Sequence, residues 1–238
     1  GGHVEYFTYL VELLAQRGAS HIKVYGGGGG VIIADEIAQL ADIGVTIFSP
    51  EVGQKLGLPG MLNTLIRDCD TDPLAPGLSD LEELRSGNHA AIARALTAAE
   101  LGRLDGADAE RISALAAAST APVLGITGTG GSGKSSLTDE LIRRFRIDQE
   151  DTLQIAILAI DPTRRKGGGA LLGDRIRQNS LDGNHIYFRS IATRGSHEVP
   201  EGIDQMIEVL KAAGHDLVIV ETPGIGQGDA GIMSHVDR

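Results

Sequence analysis

Residues 121–136 read Ala-Pro-Val-Leu-Gly-Ile-Thr-Gly-Thr-Gly-Gly-Ser-Gly-Lys-Ser-Ser, and this stretch decides the fold. The apolar run Val123 to Ile126 has the length of a buried strand. It opens into Gly128, Gly133, Lys134 and Ser135, which fit G-x-x-x-x-G-K-[ST], the phosphate-binding loop. Leu137, Leu141, Ile142 and Phe145 then recur at helical spacing. Glycines at Gly131 and Gly133 let successive N–H groups turn inward around an anion, where a Cβ would block the approach. The positive end of the following helix adds attraction. Lys134 is expected to reach the outer phosphates, and the Ser135 hydroxyl to bind Mg²⁺.

Downstream, Leu153 to Ile160 is a near-continuous apolar run, as a central parallel strand requires. It ends in Asp161-Pro162-Thr163. Gly167 to Gly169 open a loop into Leu172-Gly173-Asp174-Arg175-Ile176-Arg177. His185 to Ile191 is a third strand, and Pro200 to Ala213 a helix with Ile203, Met206, Ile207 and Leu210 inward. Asp216 to Thr222 is a fourth strand, followed by Pro223-Gly224. Phosphate-loop enzymes end such a strand in a carboxylate that serves Mg²⁺, and Glu221 stands at that place. Gly224 stands where the glycine of a nucleotide switch senses the outer phosphate. Asp161 and Asp174 are further carboxylates at strand-end or loop positions, expected to face the crevice at the carboxyl ends of the strands and serve a metal, or else to be turn and cap residues. Arg175 and Arg177 carry charge that phosphate would neutralise, or else pair on a solvated helix.

Upstream, Val4, Phe7, Leu10, Val11 and Leu14 predict a helix, His21 to Tyr25 a strand, Ala34 to Ile43 a helix with Ile37, Leu40 and Ala41 inward, Val45 to Phe48 a strand, and 60–69 a short helix. The order α-β-α-β-α predicts an open parallel sheet. Two strands cover too little of such a sheet, so residues 1–70 are expected to be the back half of a doubly wound domain. Five glycines, Gly26 to Gly30, follow the first strand where ligands dock on parallel sheets, or form a slack loop. Residues 71–120 are expected to be a linker and helical arm. Helix runs from Leu78 to Leu104 with a break at Gly87, then from Ala107 to Ala118. No chemistry is visible there, and His89 reads as a solvated helix residue.

Hydrophobic residues make up 42% of the 238, which excludes a disordered chain. A net charge of −11 argues against nucleic-acid binding. The single cysteine, Cys69, forms no intrachain disulfide and reads as a small buried helix residue, consistent with a reducing, cytoplasmic setting. No apolar run has membrane-spanning length.

The motifs Gly-Thr-Gly-Gly-Ser-Gly-Lys-Ser-Ser, Ala-Ile-Asp-Pro-Thr, Leu-Leu-Gly-Asp-Arg-Ile-Arg and Glu-Thr-Pro-Gly-Ile-Gly-Gln resemble the metallochaperone-class GTPases that attend cobalamin-dependent mutases. Helix Gly87 to Glu100 resembles the arm that precedes their nucleotide loop. Gly1-Gly2-His3-Val4-Glu5-Tyr6 and Val24-Tyr25 with the glycines after it resemble the second half of a cobalamin-binding domain. One family of polypeptides, the fused isobutyryl-CoA mutases, joins these modules in this order. The resemblance implies an α/β architecture in three parts: a partial flavodoxin-like cobalamin-binding domain at 1–70, the arm at 71–120, and a phosphate-loop GTPase domain at 121–238, cut before its guanine-reading motif.

The resemblance also implies ligands. GTP would lie on Gly131, Ser132, Gly133, Lys134, Ser135, Ser136, Arg177 and Gly224, with Lys134 and Glu221 catalytic. Mg²⁺ would lie on Ser135, Asp161, Asp174, Glu221 and Thr222. The tail of adenosylcobalamin would lie along Gly26, Gly27, Gly28 and Gly29. It further implies an acyl-CoA mutase domain in the same polypeptide, a homodimer, and GTP hydrolysis that gates cofactor loading. The Asp-x-His-x-x-Gly that ligates cobalt in that family and the Asn-Lys-x-Asp that reads guanine are both absent. Two other expectations stand beside this one: a stand-alone metallochaperone GTPase, and a cobalamin-binding module without catalysis.

Overall fold

The computed structural model describes residues 2–27, 30–75, 81–162, 178–193, 199–224 and 227–238. The chain divides into two compact units, Gly1–Ala75 and Pro76–Arg238.

In the first unit, helix α1 (His3–Gln16) precedes strand β1 (Val24–Gly27), helix α2 (Ala34–Asp42), strand β2 (Val45–Phe48) and helix α3 (Pro50–Cys69). The two strands pair in parallel, Val24 opposite Val45 and Gly27 opposite Phe48. The core is small: Ile32, Leu40, Val45 and Ile47 are buried, with Val4, Phe7, Val11, Val24 and Ile37 packed against them. Ala41, expected inward, is exposed. The first strand runs later than its apolar residues suggest and takes in Gly26 and Gly27. A Cβ on Gly26 would press into the Phe7 ring and the Ile47 side chain, at 2.6 and 2.8 Å.

Helix α3 also differs from expectation. It begins at Pro50, where the Ser49 hydroxyl accepts a hydrogen bond from the Val52 amide and proline takes the first helical position. It is two helices joined across a kink at Gly57 (φ 63°), just before Pro59. Its first half was hidden in the sequence because Gly53, Gly57, Pro59 and Gly60 read as breakers. Cys69, its last residue, is exposed rather than buried.

The second unit opens with three helices, α4 (Leu81–Arg85), α5 (His89–Glu100) and α6 (Gly106–Ala117). They start where the sequence supplies caps. The Asn88 side chain accepts from Ala90 and Ala91 amides, and Asp105 from Asp108. Strand β3 (Val123–Ile126) and helix α7 (Lys134–Asp148) follow, then β4 (Ile155–Pro162), β5 (Ile186–Thr193), a helix α8 (Ile203–Ala212), β6 (Leu217–Glu221) and a 3-10 helix, Gln227–Ser234. The four strands form one parallel sheet in the order β3-β6-β4-β5.

Side chains alternate across this sheet. Ala156, Leu158 and Ile160 of β4, with Val218 and Val220 of β6, join the core beneath α4, α5, α6 and α8. Ile155, Ile157 and Ala159, with Ile219, join Ile142 of α7 on the opposite face. The arm helices are therefore part of the packing of the second unit: Ile92, Leu96 and Ile112 are all 1% exposed or less. Each such side chain contributes about 1.5–3 kcal/mol. Leu137, expected on the inner face of α7, is 53% exposed, and Thr138 takes the buried position. His89 is exposed as expected, with its ring edge on Tyr187.

The outer edge of β3 is occupied by the chain's last residues. The Asp237 amide donates to Val123 O (2.9 Å), the Gly125 amide to Arg238 O (2.8 Å), and the Val123 amide to an Asp237 carboxylate oxygen (2.8 Å). Val236 lies against Gly125, where a Cβ would come within 2.9 Å of it.

Candidate functional site

The site is built at the carboxyl edge of the sheet, where β3 turns into α7. The loop between them uses left-handed backbone at Gly131 (φ +78°) and at Gly133 (φ +90°), the residue that caps α7. These angles suit glycine and aim the first amides of α7 out of the helix end. Ser132 and Ser136 are exposed on the same turn. Lys134 folds over the loop, its Nζ donating to Gly128 O (2.8 Å) and Thr129 O (3.2 Å).

Gly224 closes the other side. Its φ is +75°, and a Cβ there would collide with Lys134 Nζ and come within 2.9 Å of Gly128 O and 3.0 Å of Gly130 N. The expected switch glycine is thus in direct contact with the nucleotide loop, and steric room as well as backbone angle demands glycine.

Glu221 ends β6. It pairs in register with Ile126 on one side and Ala159 on the other, so it stands level with the start of the loop. It is 6% exposed. Ser135 Oγ donates to Glu221 Oε1 at 2.6 Å, and Thr138 Oγ1 donates to Glu221 Oε2 at 3.0 Å. A serine hydroxyl that gives its one proton to a carboxylate keeps its lone pairs for another partner.

Asp161 is also buried, at 4% exposed. It lies two residues beyond Ala159 on β4, so strand alternation puts it on the α7 face with Glu221. It stands about 7 Å further along and about 5 Å across. Thr222 leaves the strand with its amide on Ile126 O (3.0 Å). Its hydroxyl is buried without a hydrogen-bond partner among the described residues.

The structure therefore brings together Lys134, Ser135, Glu221 and Gly224, with Asp161 on the neighbouring strand, and Thr222 follows Glu221 in the chain, its hydroxyl not hydrogen-bonded to any of them. Asp174 and Arg177 lie outside the described residues, as do Gly28 and Gly29. Gly26 and Gly27 belong to the first unit. Gly26 faces inward, and Gly27 has open space where a Cβ would stand. Among the described residues no group of three or more His, Cys, Asp or Glu side chains is placed to hold a metal. No helix among them is long and apolar enough to cross a membrane. Sequence reasoning missed Thr138. Its signal was spacing, three residues after Ser135 on one helix face.

Over its whole length the chain is 62% identical to fused isobutyryl-CoA mutase of Nocardia farcinica and covers 22% of that protein. It is 54% identical to fused isobutyryl-CoA mutase of Cupriavidus metallidurans, again covering 22% of it. The chain thus spans about a fifth of the length of these relatives. A solved structure, LAO/AO transport system kinase, is similar with a TM-score of 0.49 at 24% identity, over 68% of this chain and 48% of that one. Residues 92–238 match the family of methylmalonyl-CoA mutase-associated GTPase MeaB. With well over half of its residues in that match, the chain belongs to the methylmalonyl-CoA mutase-associated GTPase family.

Proposed function

We propose that the chain is the GTP-hydrolysing chaperone and partial cobalamin-binding portion of a fused adenosylcobalamin-dependent acyl-CoA mutase. The full-length protein would interconvert isobutyryl-CoA and n-butyryl-CoA, and its GTP hydrolysis would gate cofactor loading and protect the mutase. The observation that carries the reading is the Ser135 hydroxyl, held on Glu221 at 2.6 Å at the mouth of a glycine-lined loop.

The residues fit Mg²⁺. Ser135, Asp161 and Glu221 offer only oxygen, the ligand type this hard cation takes, and Thr222 would add a hydroxyl that has no hydrogen-bond partner among the described residues. Asp174 would complete the set. Mg²⁺ there would neutralise charge on the outer phosphates. The loop amides from Gly131 to Ser136 would hold those phosphates, with Lys134 swinging from the Gly128 and Thr129 carbonyls onto them. In hydrolysis a water oxygen forms a bond to the terminal phosphorus as the bond to the bridging oxygen breaks, releasing GDP and phosphate. Lys134, and Arg177 if it reaches the site, would offset the charge on the transferred group, which is positioning and electrostatics rather than covalent chemistry. Gly224 would report the terminal phosphate through its backbone amide.

Adenosylcobalamin is assigned to the full-length protein. Gly27 leaves space at the carboxyl end of β1, whereas Gly26 is shaped by Phe7 and Ile47, and the cobalt-ligating motif is not in this sequence. No step is assigned through it. The mutase domain of the same polypeptide, its acyl-CoA substrate, a homodimeric assembly and a cytoplasmic setting complete the proposal.

In the full-length protein, Lys134→Ala is expected to lower GTP turnover by about 10³-fold, measured as phosphate release. Undiminished turnover overturns the assignment. An absorption titration with cobalamin separates the fused-mutase reading from a stand-alone GTPase.

A further inference from the structure

We infer that Thr138 is a positioning residue for Glu221, setting the carboxylate so that the Ser135 hydroxyl and Glu221 together present one oriented pair of oxygen ligands to a divalent cation. This rests on the reading of the loop as a Mg²⁺-nucleotide site.

A threonine inside a helix commonly returns its hydroxyl to the carbonyl four residues back, and Thr138 Oγ1 lies 3.1 Å from Lys134 O. That habit alone implies nothing. The same oxygen, however, lies 3.0 Å from Glu221 Oε2, from a residue 83 positions away in sequence. Thr138 is 0% exposed, so its hydroxyl has no water to fall back on. One proton with two acceptors favours the charged one, since hydrogen bonds to a carboxylate are about twice as strong as neutral ones.

The geometry is that of a two-point clamp. Ser135 and Thr138 are three residues apart and share one face of α7. Ser135 holds Oε1 and Thr138 holds Oε2. The last torsion of glutamate is otherwise soft and roughly two-fold. With both oxygens held, the carboxylate plane is fixed against the helix. The proton of Ser135 is committed to Glu221, and its lone pairs remain turned to the site. Without Thr138 the carboxylate is free to rotate, and Ser135 loses the fixed acceptor that orients it. The effect reaches the metal rather than the nucleotide, because the phosphates lie on backbone amides and Lys134.

The test compares the wild type with Thr138→Val and Thr138→Ser in the full-length protein. It reads the Mg²⁺ concentration for half-maximal GTP hydrolysis, and separately the affinity for a fluorescent GTP analogue in EDTA. Thr138→Val, which keeps the shape and removes the donor, is expected to raise the Mg²⁺ requirement about tenfold while leaving metal-free nucleotide affinity within about twofold. Thr138→Ser, which restores the hydroxyl, is expected to restore the Mg²⁺ requirement. A Mg²⁺ requirement unchanged by Thr138→Val overturns the inference. So does an equal loss in the valine and serine variants, which would mean that only the shape of the side chain matters. Should the valine variant not fold, Thr138→Cys, a poor donor of similar size, carries the same comparison. Failure of the wild type to bind the analogue in EDTA overturns the phosphate-loop reading, and the positioning role with it.

Discussion

The chain carries two strand-to-glycine junctions, and they are unlike. In the second unit, β3 runs into a loop whose glycines have left-handed backbone or face other main chain, and side chains from two elements converge on it. Lys134 crosses the loop, Ser135 and Thr138 reach across to Glu221, and Gly224 lies against Lys134. In the first unit, β1 ends in glycines of which Gly26 is explained by its neighbours Phe7 and Ile47, and Gly27 meets nothing. A run of glycines after a parallel strand is thus two signals that read identically. One arises from backbone that must approach other backbone, as Gly130 and Gly224 do. The other, at Gly26, arises from side chains inside the unit that leave no room for a Cβ.

The contrast can be broken by adding one methyl group at a time. The largest effect is expected at Gly224→Ala, which combines a left-handed angle with contact on Lys134, Gly128 and Gly130. A displacement of about 1 Å in such a site costs about 10²-fold, so GTP turnover should fall by that factor. A melting curve should show the fold intact, and full activity in this variant would remove the asymmetry between the two junctions. Gly26→Ala should act on stability. Overpacking against Phe7 and Ile47 should cost about 1–3 kcal/mol in denaturant unfolding, with GTP hydrolysis unchanged and Gly27→Ala as the neutral control. Loss of stability in both variants alike would show that the strand, rather than the side chains beneath it, sets the requirement.

A smaller effect lies outside both junctions. His215 is buried with its Nδ1 2.9 Å from Leu210 O, and its pKa is lowered from the ordinary histidine value of 6.5, first by burial and also by His89. The Leu210 carbonyl and Asp216 oppose the shift, and Tyr187 packs on the ring. The unfolded chain therefore binds the proton more readily than the folded one. Stability from this group is full above about pH 6.5 and declines as pH falls toward the folded-state value. Urea unfolding between pH 7.5 and 5 should show the decline, and His215→Gln should flatten it.

Much of the second unit was legible in its sequence because its signals were redundant. A continuous apolar run, a glycine-lysine loop and an amphipathic helix all point to one architecture, and Glu221 is placed by ending an apolar strand. The shared face of Asp161 and Glu221 followed only from register, which no local pattern encodes. Thr138 offered only its spacing from Ser135, because a polar residue at a helix's inner face has no further meaning until its distant partner is known. Leu137 misled for the converse reason: it continues the apolar pattern yet points to solvent. In the first unit the helix from Pro50 was hidden by glycines and a proline, which local propensity counts as breakers and which a kink at Gly57 accommodates.

The pairing of Asp237 and Arg238 with β3 has a consequence for hydrogen exchange. The amides of Val123 and Gly125 sit on the outer edge of the strand that feeds the phosphate loop. Their partners are the Asp237 carboxylate and the Arg238 carbonyl. Amides on this edge are protected only while that segment stays docked. Their exchange rates therefore act as a built-in reporter of whether residues 236–238 hold the strand beneath the nucleotide loop. Amides on the inner side, such as Thr222 on Ile126 O, report instead on the opening of the sheet itself.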